Sequence, residues 1–280
     1  MIKAYSLAEL FTALKEPLSE NLSIGLVPTM GALHEGHASL VTTAKKSCNF
    51  VITSVFINPT QFTNQDDLIN YPKTENHDIA LLNSLGCDLV FFPNASEIYT
   101  KDYHFPGIEL GFLDQTMEGN SRPGHFQGVC QVVYRLFELT KPNKAFFGLK
   151  DFQQVSVIQF MVKHFNLPIE IIPCETCRNE SGLALSSRNL RLTEEQKIEA
   201  LILFNTLIEA RKNTREMKPS EVKRKAEESI SQSKLKLEYI EIVNPTTLEN
   251  LKETWCEHAR MCIVAYAGEV RLIDNMEIRE

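Results

Sequence analysis

Two histidines three positions apart, His34 and His37, flank Glu35 and Gly36 within Pro28-Thr29-Met30-Gly31-Ala32-Leu33-His34-Glu35-Gly36-His37. The segment falls where a short apolar run, Ile24-Gly25-Leu26-Val27, is stopped by Pro28 and a helical pattern follows. At such a strand-to-helix junction a glycine lets backbone approach a phosphate, and the helix offers unbonded N–H groups and the positive end of its dipole. Imidazoles at this spacing can donate to triphosphate oxygens. Negative charge grows there as the α-phosphorus is attacked, so donors aimed at it stabilise the transition state preferentially. Histidines at a helix start otherwise serve as caps or packing groups; the position after a strand favours the chemical reading.

Four further segments carry suitable groups. In Phe56-Ile57-Asn58-Pro59-Thr60-Gln61-Phe62 the amides of Asn58 and Gln61 sit among apolar neighbours, a composition that suits a small hydroxy acid and, read alone, equally suits a turn. Gly119-Asn120-Ser121-Arg122-Pro123-Gly124-His125-Phe126 is a loop with two groups able to carry positive charge. In Phe146-Phe147-Gly148-Leu149-Lys150-Asp151-Phe152-Gln153-Gln154 another strand end turns into a helix; Lys150 brings a cation for phosphate, Asp151 an acceptor, and Gln154 lies one turn on. Gly182-Leu183-Ala184-Leu185-Ser186-Ser187-Arg188-Asn189 combines hydroxyls, an arginine and a glycine, which suits a flap over triphosphate oxygens or a serine-rich helix cap.

To bring these segments together the chain must alternate strands and helices. Besides residues 24–27, short apolar runs at 50–56, 89–92, 144–147 and 169–172 read as parallel strands. Helix-period segments fall at about 37–47, 74–85, 128–140 and 151–165, after a first helix carrying Leu7, Leu10, Phe11 and Leu14. The expectation is an α/β fold, a Rossmann-like doubly wound parallel sheet over residues 1–176. Ligands of such sheets sit beyond the carboxyl ends of the strands, so the loops after Val27, Phe56 and Phe147 should meet at one edge. A smaller C-terminal α+β lid domain, residues 177–280, is expected from helices near 193–212 and 220–233 and strands near 237–243, 261–266 and 270–273. The last two strands join at Ala267-Gly268-Glu269 as a hairpin.

Composition narrows the partners. With 29 basic and 36 acidic residues the formal charge is -7, so no global field draws a polyanion and small substrates are favoured over nucleic acid. No run of about 18 apolar residues or signal-peptide start is present, so no membrane is implied and the expected compartment is the cytoplasm. Seven scattered cysteines read as reduced thiols, and Cys174-Glu175-Thr176-Cys177, lacking a second pair, reads as local packing.

Taken together, V-P-T-M-G-A-L-H-E-G-H, F-I-N-P-x-Q-F, Y-P-K-T, R-P-G-H-F, F-F-G-x-K-D-x-Q-Q and G-L-A-L-S-S-R-N resemble the pantoate–β-alanine ligase family over nearly the whole chain. The first motif alone is shared with the wider H-x-G-H adenylyl-transferring superfamily. The resemblance implies an AMP-forming carbon–nitrogen ligase that converts pantoate and ATP to pantoyl-adenylate and pyrophosphate, after which β-alanine displaces AMP to give pantothenate. Another H-x-G-H nucleotidyltransferase acting on a small metabolite is the alternative. Adenylation supplies the leaving group, so no nucleophilic Ser or Cys is needed.

Carried over residue by residue, the resemblance gives His34, His37, Lys150 and Arg188 catalytic roles, with His37 the proton donor. Met30, Gly31, Ala32, Leu33, His34, Glu35, Gly36 and His37 would bind ATP, joined by Gly148, Leu149, Lys150, Asp151, Cys177, Leu185, Ser186, Ser187 and Arg188. Gln61 and Gln154 would hold pantoate, Asn58 would help, and Pro28, Met30, Val132 and Val133 would wall its methyl groups. Mg²⁺ is expected with ATP, on ligands the sequence leaves open, and the chain is expected to form a homodimer. Leu149, Gln127 and Ser181 depart from the glutamate, arginine and aspartate usual in the family.

Overall fold

The computed structural model describes residues 1–280, which divide into two compact units, Met1–Glu175 and Thr176–Glu280. In the first, β1 (Ile2–Ala4), α1 (Leu7–Ser19), β2 (Ile24–Thr29), α2 (Glu35–Ser47), β3 (Phe50–Val55), α3 (Gln65–Ile69), α4 (Glu75–Ser84) and β4 (Leu89–Phe91) follow one another. Then come α5 (Ala95–Ile98), α6 (Met117–Ser121), α7 (His125–Thr140), β5 (Lys144–Gly148), α8 (Phe152–His164) and β6 (Glu170–Cys174).

The six strands form one sheet in the order β1-β4-β3-β2-β5-β6, with every pairing parallel. Alternation along the strands explains why both faces are covered. Leu26, Ile52, Leu89, Phe91, Ala145 and Phe147 join the core built with Leu10 and Leu14 of α1 and with α7 and α8. Their sequence neighbours Val27, Val51, Val90 and Phe146 point the other way, into a core with Leu40, Val41 and Ala44 of α2 and Leu82 of α4. Strand order runs outward from β2 through β3 to β4 on one side, and restarts with β5 and β6 on the other. The crevice at the carboxyl ends of β2 and β5 is therefore the topological switch point, the place where such sheets bind ligands.

The expected strands and long helices are present, with shifted ends. The clearest departure is Pro28, which does not stop β2: it pairs with Ser54 and the strand runs on to Thr29. Pairing of β2 with β5 ends at Leu26, so the missing N–H of Pro28 takes nothing from that side. The three-residue β1 and the short α3, α5 and α6 have no counterpart in the periodicity of the sequence.

The second unit contains α9 (Glu194–Asn213), α10 (Pro219–Ser231), β7 (Lys236–Val243), β8 (Ala259–Ala267) and β9 (Val270–Arg279). Its antiparallel sheet, β7-β8-β9, buries Met261, Ile263, Ala265 and Ala267 against Ala200, Leu203 and Leu207 of α9 and Val222 and Ile230 of α10. Ala267 pairs with Val270, leaving Gly268-Glu269 as the hairpin loop, with Gly268 at φ +58° as a tight turn requires. All seven cysteines are free thiols. No helix is long and apolar enough to cross a membrane.

Candidate active site

The two histidines make the start of α2. His34 has extended backbone, φ -141° and ψ 178°, and its Nδ1 accepts the Gly36 N–H at 3.1 Å; the His34 N–H in turn donates to Nδ1 of His37 at 3.3 Å. This reciprocal cap satisfies donors that a helix start leaves open. It also fixes tautomers: a neutral imidazole that accepts at Nδ1 carries its proton on Nε2. Burial, with the Lys150 charge added, depresses His34 to about 4, and burial, His34 and Lys150 together depress His37 to about 3. At neutral pH both rings, 4.1 Å apart between centroids, are uncharged Nε2–H donors.

The backbone of this loop does not behave as its glycines suggest. Gly31 (φ +83°) and Ala32 (φ +49°) take left-handed conformations, and the N–H groups of Ala32 and Leu33 donate to the two carboxylate oxygens of Asp78 at 3.0 and 2.8 Å. Gly31 N–H donates to Thr29 Oγ1, and the His37 and Ala38 N–H groups to the His34 carbonyl. Most amides expected to cradle phosphate are thus already bonded inside the protein. The donors this arrangement presents are side chains, the two imidazole Nε2–H groups and the Lys150 ammonium. Lys150 stands in a 3₁₀ turn, Leu149–Asp151, directly after β5, and lies 3.8 Å from the Asp151 carboxylate.

The amide pair after β3 is built from below. Gln61, 8% exposed, donates from Nε2 to the Met30 sulfur at 3.1 Å, linking the loops after β2 and β3. Its Oε1 accepts from Asn58 Nδ2 at 3.1 Å, and its carbonyl accepts from His125 Nδ1 at 2.7 Å. Asn58, 1% exposed, spends its whole side chain on Gln61, the Gly128 carbonyl, Thr60 and the Tyr99 hydroxyl. Through these bonds Asn58 holds the Gln61 amide in place. Gly128 is needed here because a Cβ would collide with the Thr60 carbonyl. His125 accepts from Arg122 at Nε2, 3.2 Å away, while burial and the Arg122 charge depress it to about 4. It is a neutral Nδ1–H donor, the opposite tautomer to His34 and His37.

Gln154, half-buried on α8, makes no side-chain hydrogen bond inside the protein, whereas its neighbour Gln153 is spent on the Glu118 N–H and the Leu113 and Thr116 carbonyls. Pro28 and Met30 are half-buried, and Val132 and Val133 lie inward on α7 at 6% and 4% exposure. Gly148 ends β5, Leu149 is half-buried and Asp151 is exposed. The hydrogen bonds of His125, Tyr99, Gln153 and Asp78 have no signal in local sequence. The His125 cue, a histidine two residues after Pro123 at a helix start, carries no hint of its partner 64 positions away.

In the second unit the segment carrying Leu185, Ser186, Ser187 and Arg188 is a structured loop. Leu185 N–H donates to the Cys177 carbonyl at 2.9 Å, and Ser186 Oγ caps a 3₁₀ turn, Ser187–Arg191, by accepting from Arg188 N–H. Arg178 grips the base of the loop: it pairs with both Asp274 oxygens at 2.6 and 2.7 Å, donates to the Gly182 carbonyl and lies over the Phe204 ring.

Known proteins match this chain from end to end. The profile of the Pantoate-beta-alanine ligase family matches residues 3–277. A pantothenate synthetase from Porphyromonas gingivalis is 44% identical over 265 residues, 94% of each chain, and one from Cytophaga hutchinsonii 42% identical over 283 residues, 99% of each. The crystal structure of pantothenate synthetase from Thermus thermophilus superposes with a TM-score of 0.94 at 39% identity over 100% of both chains. That of the pantoate-beta-alanine ligase from Francisella tularensis, complexed with beta-gamma ATP and beta-alanine, gives 0.82 at 37% identity, covering 99% of this chain and 98% of that one. With a doubly wound sheet whose switch point gathers two Nε2–H imidazoles and a lysine, and with this likeness over its full length, the chain belongs to the pantoate–β-alanine ligase family.

Proposed function

We propose that this enzyme condenses (R)-pantoate with β-alanine to pantothenate through a pantoyl-adenylate, consuming ATP and releasing pyrophosphate and AMP. The observation that carries the reading is the switch-point trio: His34 and His37 at the start of α2 after β2, and Lys150 in the turn after β5, the strand next to β2 in the sheet. In the first step a pantoate carboxylate oxygen attacks the α-phosphorus and the bond to pyrophosphate breaks. Charge builds on phosphate oxygens, where Lys150 supplies a cation and the two Nε2–H groups supply donors that need no prior protonation. The proton-donor role that the family resemblance implies for His37 becomes that of a neutral hydrogen-bond donor at Nε2. In the second step the amine of β-alanine attacks the acyl carbon and the bond to AMP breaks.

Gln61 and Gln154 orient the hydroxy acid, the first braced on Asn58 and Met30, the second with its amide uncommitted. Pro28, Met30, Val132 and Val133 supply the apolar wall. For the second unit, the family resemblance implies that Cys177, Leu185, Ser186, Ser187 and Arg188 bind ATP, Arg188 as a cation. No group of three or more His, Cys, Asp or Glu side chains is gathered to hold a metal, and the Asp78 oxygens are committed to backbone. Mg²⁺ arriving on the triphosphate would be held by phosphate oxygens and water. ATP as co-substrate suits a cytoplasmic enzyme, and a homodimer formed through the first unit is the assembly the family resemblance implies.

The test is incubation with ATP, Mg²⁺ and pantoate, with and without β-alanine, beside a His37→Ala control, following pyrophosphate and AMP and identifying the amide by mass spectrometry. Amide formed one-to-one with AMP and lost in the control is expected. Pyrophosphate without amide points to a different acceptor, and no turnover despite ATP binding overturns the ligase reading.

A further inference from the structure

Asp78 lies outside every segment whose residue types suggest chemistry, yet it is one of the most completely buried charged residues in the chain, 1% exposed on the first turn of α4. Its carboxylate accepts three donors: Ala32 N–H at Oδ2, and Leu33 N–H and Thr74 Oγ1 at Oδ1, at 3.0, 2.8 and 2.9 Å. Two consecutive backbone amides aimed at one carboxylate require the chain between them to turn sharply. That turn is where Gly31 and Ala32 sit at φ +83° and +49°, the second in a region an L-residue enters only at a cost of about 1–2 kcal/mol. The fit leaves no slack, since a Cβ on Gly31 would stand 3.0 Å from Val55 and 3.2 Å from Asp78 Oδ2. The next residue after the turn is His34, whose backbone N–H then meets Nδ1 of His37.

We propose that Asp78 is a positioning residue for adenylation: by bonding the Ala32 and Leu33 amides it holds the left-handed turn that delivers His34 and His37, as Nε2–H donors, to the phosphates. This rests on the reaction proposed above, though the geometric half of it does not. The negative charge matters because only a carboxylate accepts at both oxygens. An asparagine must present its NH₂ to one of the two amides, putting donor against donor and releasing the turn. Asp78 does not act as a metal ligand in this scheme, since both oxygens are taken and the side chain is closed off from solvent.

The test pairs Asp78→Asn with the milder Thr74→Val, which removes only the hydroxyl donor. Two readouts separate positioning from plain stability. In ¹⁵N-detected imidazole spectra, the His34 and His37 midpoints, about 4 and about 3 in the parent, should rise by about a unit or more in Asp78→Asn as the caps open, with a smaller rise in Thr74→Val. In kinetics, kcat for pyrophosphate release should fall ~100-fold, the cost of about 1 Å of misplacement, while KM for pantoate and for β-alanine stays within about twofold. Unchanged midpoints and unchanged kcat in Asp78→Asn would overturn the proposal, as would a fall in kcat no larger than the unfolded fraction measured by circular dichroism, with parental midpoints in the folded fraction. Should Asp78→Asn fail to fold, a Thr74→Val enzyme with parental midpoints and kcat overturns it equally. If the parent releases no pyrophosphate, the reaction reading has failed, and the histidine midpoints still judge Asp78.

Discussion

Replacing His125 by asparagine should remove a specific acid sensitivity from the first unit without removing the bond His125 makes. The imidazole is 6% exposed, donates from Nδ1 to the Gln61 carbonyl and accepts at Nε2 from Arg122, so a second proton would have to sit against a guanidinium. Its pKa accordingly falls from 6.5 to about 4 on folding. Between those values the unfolded chain binds the extra proton and the folded one does not, so stability is whole above about pH 6.5 and is lost as pH falls towards 4. The full span, about 2.5 pH units, corresponds to roughly 3 kcal/mol, of which about 2 kcal/mol is already gone at pH 5. His125→Asn keeps an N–H near the Nδ1 position but cannot titrate. Urea unfolding at pH 7 and pH 5, followed by tyrosine near-UV dichroism, should show the parent losing about 2 kcal/mol more than the variant. Five of the seven tyrosines lie in the first unit, and the single tryptophan, Trp255, lies in the second and serves as an internal control. Parallel losses in parent and variant, or the same extra loss reported by Trp255 fluorescence, would refute the assignment.

Three other outcomes are expected. Lys150→Ala should lower single-turnover pyrophosphate release by about 10²–10³-fold while leaving pantoate affinity, measured by calorimetry, near the parent value. Because His34 and His37 are neutral down to about 4 and about 3, kcat/KM for ATP should show no inflection at pH 6–7 and should fall only as pH approaches 4; an acid limb centred near 6.5 contradicts this. Gly182→Ala would drive a Cβ into the Phe204 ring at a φ of +99°, and should destabilise the second unit by about 2–4 kcal/mol, read as an earlier Trp255 fluorescence transition.

The alternation of apolar runs and helical periods is enough to read the doubly wound sheet, because β2, β3 and β5 are buried on both faces and therefore nearly continuous in hydrophobic residues. A three-residue strand such as β1 has too little length to show any period, and Pro28 misleads because its cost depends on which neighbour needs the N–H, a fact of pairing and not of sequence. In the site, His34, His37, Lys150 and Gln61 are legible by type and by position after strands. Their supports are not: Asp78 reaches Ala32 across 46 positions, Tyr99 reaches Asn58 across 41, and neither contact leaves a local trace. The glycines read as openings for phosphate, whereas the amides around them are bonded to the protein itself.

The cap of α2 makes chemistry and fold compete for one residue. Serine, aspartate and asparagine are the side chains that best receive the amides of a helix start, and the imidazole of His34 does that task with a ring forced to stay neutral. An aspartate at position 34 would also meet the positive end of the helix dipole and would gain stability, while setting a negative charge where the proposed reaction requires a triphosphate. A chain released from selection for the reaction therefore has a downhill path at this position. Retaining His34 is a standing choice of activity over stability, and a melting temperature that rises in His34→Asp as turnover vanishes is how that choice would appear.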